Sequence, residues 1–363
     1  MCAMDTITHC LMGAVTAQLG FRQRIGRDAS WMAAAAAIAP DLDFFVGPII
    51  TRLGGNGNNH LFEHRGLSHS LLFAPVLAAA IAGVWWLVRR YVLRRGAAGD
   101  SVSGPAPFWL LYLCTLLALI THPLLDWCTP YGTELLAPLS GVRYAADCVS
   151  VVDLLFSGIL ALTLVACFAA RRWAPRLGPR ASLMLGRAGF VLAVAYLAAG
   201  HVLHNEAVAD ARGRMAESHV VRAEAYPVLG TIFTWRVVVE TDDAWTAMRI
   251  RPLAESRGPP PTETARKQPS PWIGLARRLP QVQDYEWFAM GLVRASAYDE
   301  AGLHVVEFDD MRYTMRPQDV RSLWPLRVTF DAGGNVLKVE RLSILRGRTW
   351  QTLLREAWEN LAG

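Results

Sequence analysis

The chain has 363 residues, enough for two or three domains, of which 53% are hydrophobic and only 18% charged. That balance is too apolar for a typical soluble protein and indicates a membrane protein. The net charge of +5 comes entirely from the first 204 residues, so no folded domain carries the basic patch that is typical of nucleic-acid binding.

Six apolar stretches follow one another in residues 1–204 and predict a polytopic membrane domain of about six helical segments. The last four are close to the ~20 residues that a spanning helix needs. The first is short and could form a hairpin with the second that dips into the membrane and returns. The predicted segments are 6–21, 30–46, 70–88, 108–125, 151–170 and 184–204.

The arginines predict how these segments are oriented. They cluster in every second loop, at 22–27, 89–95 and 171–180, and are sparse in the loops between. By the positive-inside rule the arginine-rich loops are cytoplasmic. We therefore expect a multi-pass membrane protein with both termini and the C-terminal domain outside the cytoplasm.

Histidines and carboxylates gather at the predicted outer ends of the segments. They are Asp5, His9, Asp41, Asp43, His60, His64, His69, His122, Asp126 and Asp153. Ionisable groups at membrane depth are costly and usually functional, and His with Asp is the ligand set of a hydrolytic metal site. A proton relay would instead string such groups across the membrane. Their position at one face predicts a metal site.

The first two motifs are weak when taken alone. Asp5 and His9 are four residues apart and share one face of a helix, although a capping Asp beside an interfacial His explains this pair better when it is taken alone. Asp41 and Asp43 follow Pro40, where the preceding helix should end. One carboxylate could bind metal while the other orients a ligand or a water; a polar turn is the alternative.

The HRGLSHS motif at 64–70 is more specific, because it places His64, Arg65 and His69 at one membrane entry. Arg65 can offer phosphate a planar, bidentate fork. An interfacial loop with Ser68 as a helix cap is the alternative. His201 and His204, at the outer end of the sixth segment, could reach the site or simply lie at the interface.

His122 and Asp126 are again four residues apart, but Pro123 lies between them. Because proline disfavours helical geometry at the preceding residue, we expect the pair to flank a kink or a helix start. Asp126 would be expensive without a partner in apolar surroundings. A metal is the economical partner, although an arginine or a further histidine could serve.

After residue 204 the pattern changes to short alternating runs, which predict a mostly β extracytoplasmic domain over 205–363. We expect a Pro-rich loop near 257–271, a hairpin turn at 331–335 and a closing helix at about 349–361. The predicted strands are 231–240, 247–251, 288–297, 304–308, 312–315, 326–330 and 336–342. In the preceding outer loop, Cys128 and Cys148 could form a disulfide or remain two thiols.

Several of these blocks resemble the YdjM-like family of bacterial inner-membrane proteins, described as predicted metal-dependent hydrolases. The resemblance lies in MDTITHCLMG, APDLD, HRGLSHS, THPLLDWCTPYGTELLAPLS and the VVD that ends at Asp153, and it covers about the first 155 residues. More distantly, the family is similar to zinc-dependent phospholipase C and the S1/P1-type nucleases. The HxxxD of His122 and Asp126 matches them best; Asp41 or Asp43 and His64 or His69 correspond to their other ligands.

The sequence thus predicts a metal-dependent hydrolase in the membrane that cleaves a phosphoester, such as a lipid head group, at the outer face. One to three divalent ions would bind to His9, Asp41, His64, His69, His122 and Asp126, and these ligand types favour zinc. The expected catalytic set is Asp5, Asp43, Arg65 and Asp153, with a carboxylate as base and Arg65 stabilising negative charge. The alternatives are a non-catalytic scaffold or metal sensor whose outer domain binds a partner and, third, a transporter.

Overall fold

The computed structural model of the protein describes residues 2–43, 65–91, 106–174, 178–254 and 258–343. The chain divides into two compact units. The first consists of Met1–Ala146 and Val151–Ala199, and the second of Asp147–Ser150 and Gly200–Gly363. The border predicted from the sequence was residue 204, and the short earlier segment Asp147–Ser150 was not expected to join the second unit.

The first unit is helical. Its helices are α1 (Cys2–Ala17), α2 (Phe21–Ile25), α3 (Ala29–Ile38), α4 (Ala74–Tyr91), α5 (Phe108–Trp127), α6 (Leu154–Trp173) and the beginning of α7 (Gly178–Arg214). Two short 3₁₀ turns, Ala39–Leu42 and Leu67–His69, lie between them. The last part of α7 belongs to the second unit.

Three of the described helices, α5, α6 and α7, are long and apolar enough to span a membrane, whereas the sequence predicted about six segments. Helices α1 and α3 have only 16 and 10 residues. At 1.5 Å per residue they reach about 24 and 15 Å, short of a ~30 Å hydrocarbon core. The second predicted segment is cut short because α3 ends before Pro40. Helix α4 carries Arg89 and Arg90 in its last turn.

Small residues let α1 and α3 approach each other closely. A Cβ added to Gly13 would lie 2.4 Å from the Ala33 carbonyl oxygen and 2.6 Å from the Ala37 Cβ, so only glycine fits there. Helix α3 buries most of its alanines against α1 and α5. Small residues serve such close contacts in membrane helices. The contact brings the face of α1 that carries His9, one turn before Gly13, toward the end of α3.

The second unit is rich in β-structure, as predicted. Two four-stranded antiparallel sheets follow the chain order, and helices α8 (Pro271–Ala276) and α9 (Pro280–Phe288) lie between them in sequence. The strands of the first sheet are β1 (Val220–Pro227), β2 (Trp235–Thr241), β3 (Ala244–Ile250) and β4 (Thr262–Arg266). Those of the second are β5 (Val293–Glu300), β6 (Leu303–Asp310), β7 (Leu326–Phe330) and β8 (Val336–Arg341). Apolar side chains of the second sheet bury against α8 and α9.

Several local predictions need correction. β1 was missed because charged side chains interrupt its apolar alternation, and β4 forms inside the predicted Pro-rich loop by pairing with β3. Residues 312–315 form no strand. The predicted hairpin at 331–335 does join β7 and β8, and the Asp331 carboxylate accepts hydrogen bonds from the backbone N–H groups of Gly333 and Asn335. Cys128 and Cys148 are free thiols. The predicted closing helix lies outside the described residues.

Candidate metal centre

Four elements of the helical unit bring His and Asp side chains into one cluster. His9 lies in α1, Asp41 in the turn after α3, His69 in the turn Leu67–His69, and His122 and Asp126 in α5. The pair does not flank a helix start, because α5 is a single helix from Phe108 to Trp127 with Pro123 inside it. His122 and Asp126 therefore share one face of an intact helix, as their spacing alone implies.

The centre of the cluster is a pair of imidazole nitrogens. His69 Nε2 lies 2.9 Å from His122 Nε2. Asp41 Oδ1 is 3.6 and 3.3 Å from these two atoms, and Asp126 Oδ2 is 3.3 and 3.4 Å from them. A tetrahedral zinc site with ligands at about 2.0–2.1 Å has edges of about 3.3 Å. Each carboxylate oxygen thus forms, with the two nitrogens, a triangle of the size of one face of such a site.

Hydrogen bonds on the far side of each ring determine which nitrogen faces the centre. His122 Nδ1 lies 2.5 Å from the carbonyl oxygen of Ala37, which can only accept, so Nδ1 carries the proton. His69 Nδ1 lies 3.2 Å from Asp43 Oδ2 and 2.9 Å from the Ser68 hydroxyl, which itself donates to Asp43. In their neutral forms both rings therefore direct the Nε2 lone pair inward, the arrangement of metal-binding histidines.

His9 extends the cluster on one side. Its ring stacks on His122 with centroids 3.7 Å apart, and its Nε2 lies 3.4 Å from Asp126 Oδ1. His9, His122 and Asp126 form one group whose ligand atoms lie within 4.8 Å of one another, and Asp41, His69 and His122 form a second. Because His122 belongs to both groups, the donor set can hold one ion or more than one.

Arg65 is buried beside the cluster, with 2% of its surface exposed. Its Nη2 lies 2.9 Å from Asp126 Oδ1, its Nη1 donates to Thr129 Oγ1 at 2.9 Å, and its guanidinium lies over the ring of Tyr131. The backbone at Arg65 has a φ of +71°, which is uncommon for a residue other than glycine. Its N–H donates to Asp43. These contacts orient Asp126 and connect it to the HRGLSHS turn.

Three other predicted residues are not among the cluster members that the structure describes. Asp153 is the N-cap of α6: its carboxylate accepts from the backbone N–H of Phe156 at 2.9 Å and from the Tyr196 hydroxyl at 2.9 and 3.0 Å. Burial, opposed by these hydrogen bonds, raises the pKa of Asp153. Asp5 belongs to α1, but its side chain lies outside the described residues, as does all of His64. Their predicted roles stay predictions.

The structure also adds residues that the sequence analysis did not assign. The Thr6 hydroxyl donates to Asp41 Oδ2 at 3.1 Å, and Thr129 and Tyr131 hold Arg65. Helical spacing was the available signal: Thr6 lies three residues before His9, and Thr129 three residues after Asp126. Neither a lone threonine nor a lone tyrosine indicates metal chemistry, so their roles follow only from the fold.

Comparison with known proteins identifies the helical part of the chain. A sequence model described as YdjM inner membrane protein matches residues 4–207, more than half of the 363 residues. No curated protein and no solved structure matches the chain. The matched region contains His9, Asp41, His69, His122 and Asp126, all of α5 and α6, and α7 as far as residue 207. The chain therefore belongs to the YdjM inner membrane protein family.

Proposed function

We propose that the cluster is a divalent metal centre and that the protein is a metal-dependent hydrolase acting on a phosphoester at the outer face of the inner membrane. The observation that supports the centre most strongly is the pair of Nε2 atoms 2.9 Å apart, with Asp41 and Asp126 oxygens beside them. Four acceptors converge there, while the Nδ1 atoms of both rings have other partners. A cation removes the repulsion among them.

The donor set fits zinc. Imidazole nitrogens with carboxylate oxygens are its usual ligands in hydrolytic sites, and two carboxylates balance the charge of one divalent ion. Such an ion lowers the pKa of a bound water to near neutrality and neutralises phosphoryl oxygens. Protonation of one imidazole is the other way to relieve the repulsion, and metal analysis separates the two.

The burial of the cluster suggests how a substrate would approach. The side chains of His69, His122 and Asp126 are at most 1% exposed, whereas that of Asp41 is 19% exposed. Asp41 therefore marks the accessible edge of the centre, and Asp43, 10% exposed, lies on the same turn. In this proposal Asp43 orients His69 and is the nearest carboxylate able to act as a base.

The role of Arg65 follows from its contacts. Both terminal nitrogens of its fork already meet protein oxygens, on Asp126 and Thr129. This favours a positioning role for Arg65 over direct contact with a phosphoester. The substrate-binding role predicted from the sequence remains a proposal that a Lys substitution can test.

The same burial supports a second candidate, a non-catalytic protein that holds a metal as a structural or sensing element. Nearly inaccessible ligands are typical of structural metal sites, which have no open coordination position. The two candidates share the metal and differ in turnover. A plain scaffold would differ from both by holding no metal.

The experiment combines metal analysis with turnover on the purified full-length chain in detergent. We expect bound zinc and cleavage of a chromogenic phosphodiester by the wild type. In His69→Ala we expect loss of turnover and of the zinc held by this cluster. His219→Ala and His304→Ala are matched controls, since both histidines pair with exposed carboxylates of the second unit. Metal without turnover on any phosphoester tested would favour the sensor. Metal-free, well-folded wild type would exclude the hydrolase.

The proposed outer location rests on the arginine pattern. A reporter fused after Gly99 should read as cytoplasmic, and reporters fused after Ser140 or Gly363 as extracytoplasmic. A cytoplasmic reading after Ser140 would place the cluster at the inner face and contradict this part of the proposal.

A further inference from the structure

The second unit contains another group of potential metal ligands, and it shares no residue with the first. Asp147, His204 and Glu224 each direct one ligand atom to a common point, with these atoms within 4.8 Å of one another. Asp147 belongs to the short segment Asp147–Ser150, His204 to the last part of α7, and Glu224 to β1. Three parts of the chain that are distant in sequence thus meet at one position.

A glycine contact builds this position. A Cβ added to Gly200 would lie 2.1 Å from the carbonyl oxygen of Cys148, so only glycine lets the segment pack directly on α7. His204 lies one turn after Gly200 and therefore on the same face of the helix. Asp147 has a φ of +50°, which is uncommon for an aspartate and turns the chain at this point.

Two of the three side chains have a buried atom that lacks a hydrogen-bond partner. Asp147 is 9% exposed, and its Oδ1 has no partner; neither has His204 Nε2. His204 Nδ1 lies 3.2 Å from Asn205 Oδ1, so the proton belongs on Nδ1 and the Nε2 lone pair is available to a cation. The ring also packs edge-on against Trp235. Unpartnered buried polar atoms are rare in folded proteins and need an explanation.

The neighbouring arginines do not supply partners for these buried atoms of Asp147 and His204. Arg222 Nε donates to Glu224 Oε1 at 2.9 Å. The guanidinium of Arg312 is committed to Asp310, with contacts of 2.9 and 2.7 Å. Burial, together with the charge of Glu224, raises the pKa of Asp147 to about 7, against the opposing charges of the two arginines. The buried carboxylate of Asp147, the partly exposed carboxylate of Glu224 and an imidazole lone pair are left close together.

We propose that Asp147, His204 and Glu224 bind a divalent cation of the zinc type. One imidazole and two carboxylates form an N/O donor set suited to such an ion, with the remaining position open to water. The ion fastens the Asp147–Ser150 segment to the end of α7 and to β1, and so stabilises the second unit. This proposal does not depend on the hydrolase proposal, because it concerns a separate set of residues.

The test is the number of zinc ions bound per chain by full-length protein that has been stripped with a chelator, reloaded with zinc and freed of excess metal. Asp147→Asn and His204→Ala should each bind one ion fewer than the wild type. His201→Ala is the matched control, since His201 lies on the same helix, is exposed and belongs to neither group. Its zinc content should equal that of the wild type. Unchanged zinc content in well-folded Asp147→Asn and His204→Ala would overturn the proposal.

A second measurement covers the case in which these variants do not fold. His122→Ala removes the residue common to both groups of the first cluster and leaves the second unit intact. This variant should still bind one zinc ion, and zinc should raise the temperature at which the second unit unfolds. If His122→Ala binds no zinc although the wild type does, the second site does not exist.

Discussion

The two units of the protein bury charged groups in different ways. In the β-rich unit, Asp310 lies 2.7 Å from Arg312 and Asp309 lies 2.6 Å from Arg294, so each of these carboxylates has its own guanidinium. In the helical unit, the oxygens of Asp41 and Asp126 converge with two imidazole nitrogens at the cluster centre. Matched ion pairs need nothing further. Converging acceptors need either a cation or an added proton among them.

A buried carboxylate with its own guanidinium stabilises the fold, whereas a buried carboxylate that converges with other acceptors is suited to bind a ligand. Arg65 shows why the local context matters, since it neutralises one oxygen of Asp126 while the other faces the imidazoles. The group of Asp147, His204 and Glu224 belongs with the converging type although it lies in the β-rich unit. Substitutions on either side of this division should therefore differ in what they affect, stability or metal binding.

Breaking the matched pair should affect stability alone. Arg312→Ala leaves Asp310 buried without its partner, and such a loss costs about 3–5 kcal/mol. We expect this decrease in the free energy of unfolding of the second unit, followed by tryptophan fluorescence in urea, with unchanged metal at the first cluster. Arg214→Ala, which removes an exposed pair with Asp210, is the control and should cost only about 0.2–1 kcal/mol. Loss of metal from the first cluster in Arg312→Ala would contradict the division.

Removing a group behind a ligand should weaken metal binding without abolishing it. Asp43→Asn removes the charge that orients His69 through Nδ1. Such outer partners typically contribute about 10–100-fold in metal affinity. Competition with a chromogenic zinc chelator measures the change. Asp210→Asn is the control, because the Asp210 side chain is exposed on α7. Unchanged affinity in Asp43→Asn would show that His69 is not held by this carboxylate in a metal site.

Arg65→Lys keeps the charge but loses the planar fork. Because that fork bonds Asp126 and Thr129, we expect about tenfold weaker zinc binding, at the lower end of the range for outer partners, and ordinary turnover once zinc is saturating. Turnover reduced by about 10²–10³ at normal metal content would instead establish Arg65 as a donor to the substrate.

Asp153→Asn should have the smallest effect. Asparagine caps a helix about as well as aspartate, so stability should change by less than about 0.5 kcal/mol, whereas Asp153→Ala should cost about 1 kcal/mol. Thermal unfolding and turnover are the measurements. A large loss of turnover in Asp153→Asn, with metal retained, would place Asp153 in the catalytic set that the sequence predicts.

The main part of the cluster could be predicted from sequence because its members share a simple signal. His9, Asp41, His69, His122 and Asp126 all lie where apolar segments end, and unpaired ionisable groups are expensive there. Their convergence required only that the segments pack together. The number of spanning helices could not be predicted in the same way, since hydropathy alone extends the second segment past Pro40, although α3 ends at Ile38.

Other features depend on contacts that no local pattern reveals. From the sequence alone, the guanidinium of Arg65 is expected to donate to a phosphate. Only the fold shows that its terminal nitrogens contact Asp126 and Thr129 instead. The second group requires Gly200 to pack against Cys148, a contact between residues 52 positions apart. Isolated residues such as Asp147 and Glu224 carry no motif.

Elemental analysis of the purified wild type beside His122→Ala is the most direct test of whether the converging acceptors of the helical unit hold a metal. His122 belongs to both ligand groups of the cluster. We expect zinc or a similar divalent ion in the wild type and loss of the cluster's metal in His122→Ala, with no more than the one ion of the second site remaining. A well-folded wild type without metal, or equal metal content in the two proteins, would contradict it.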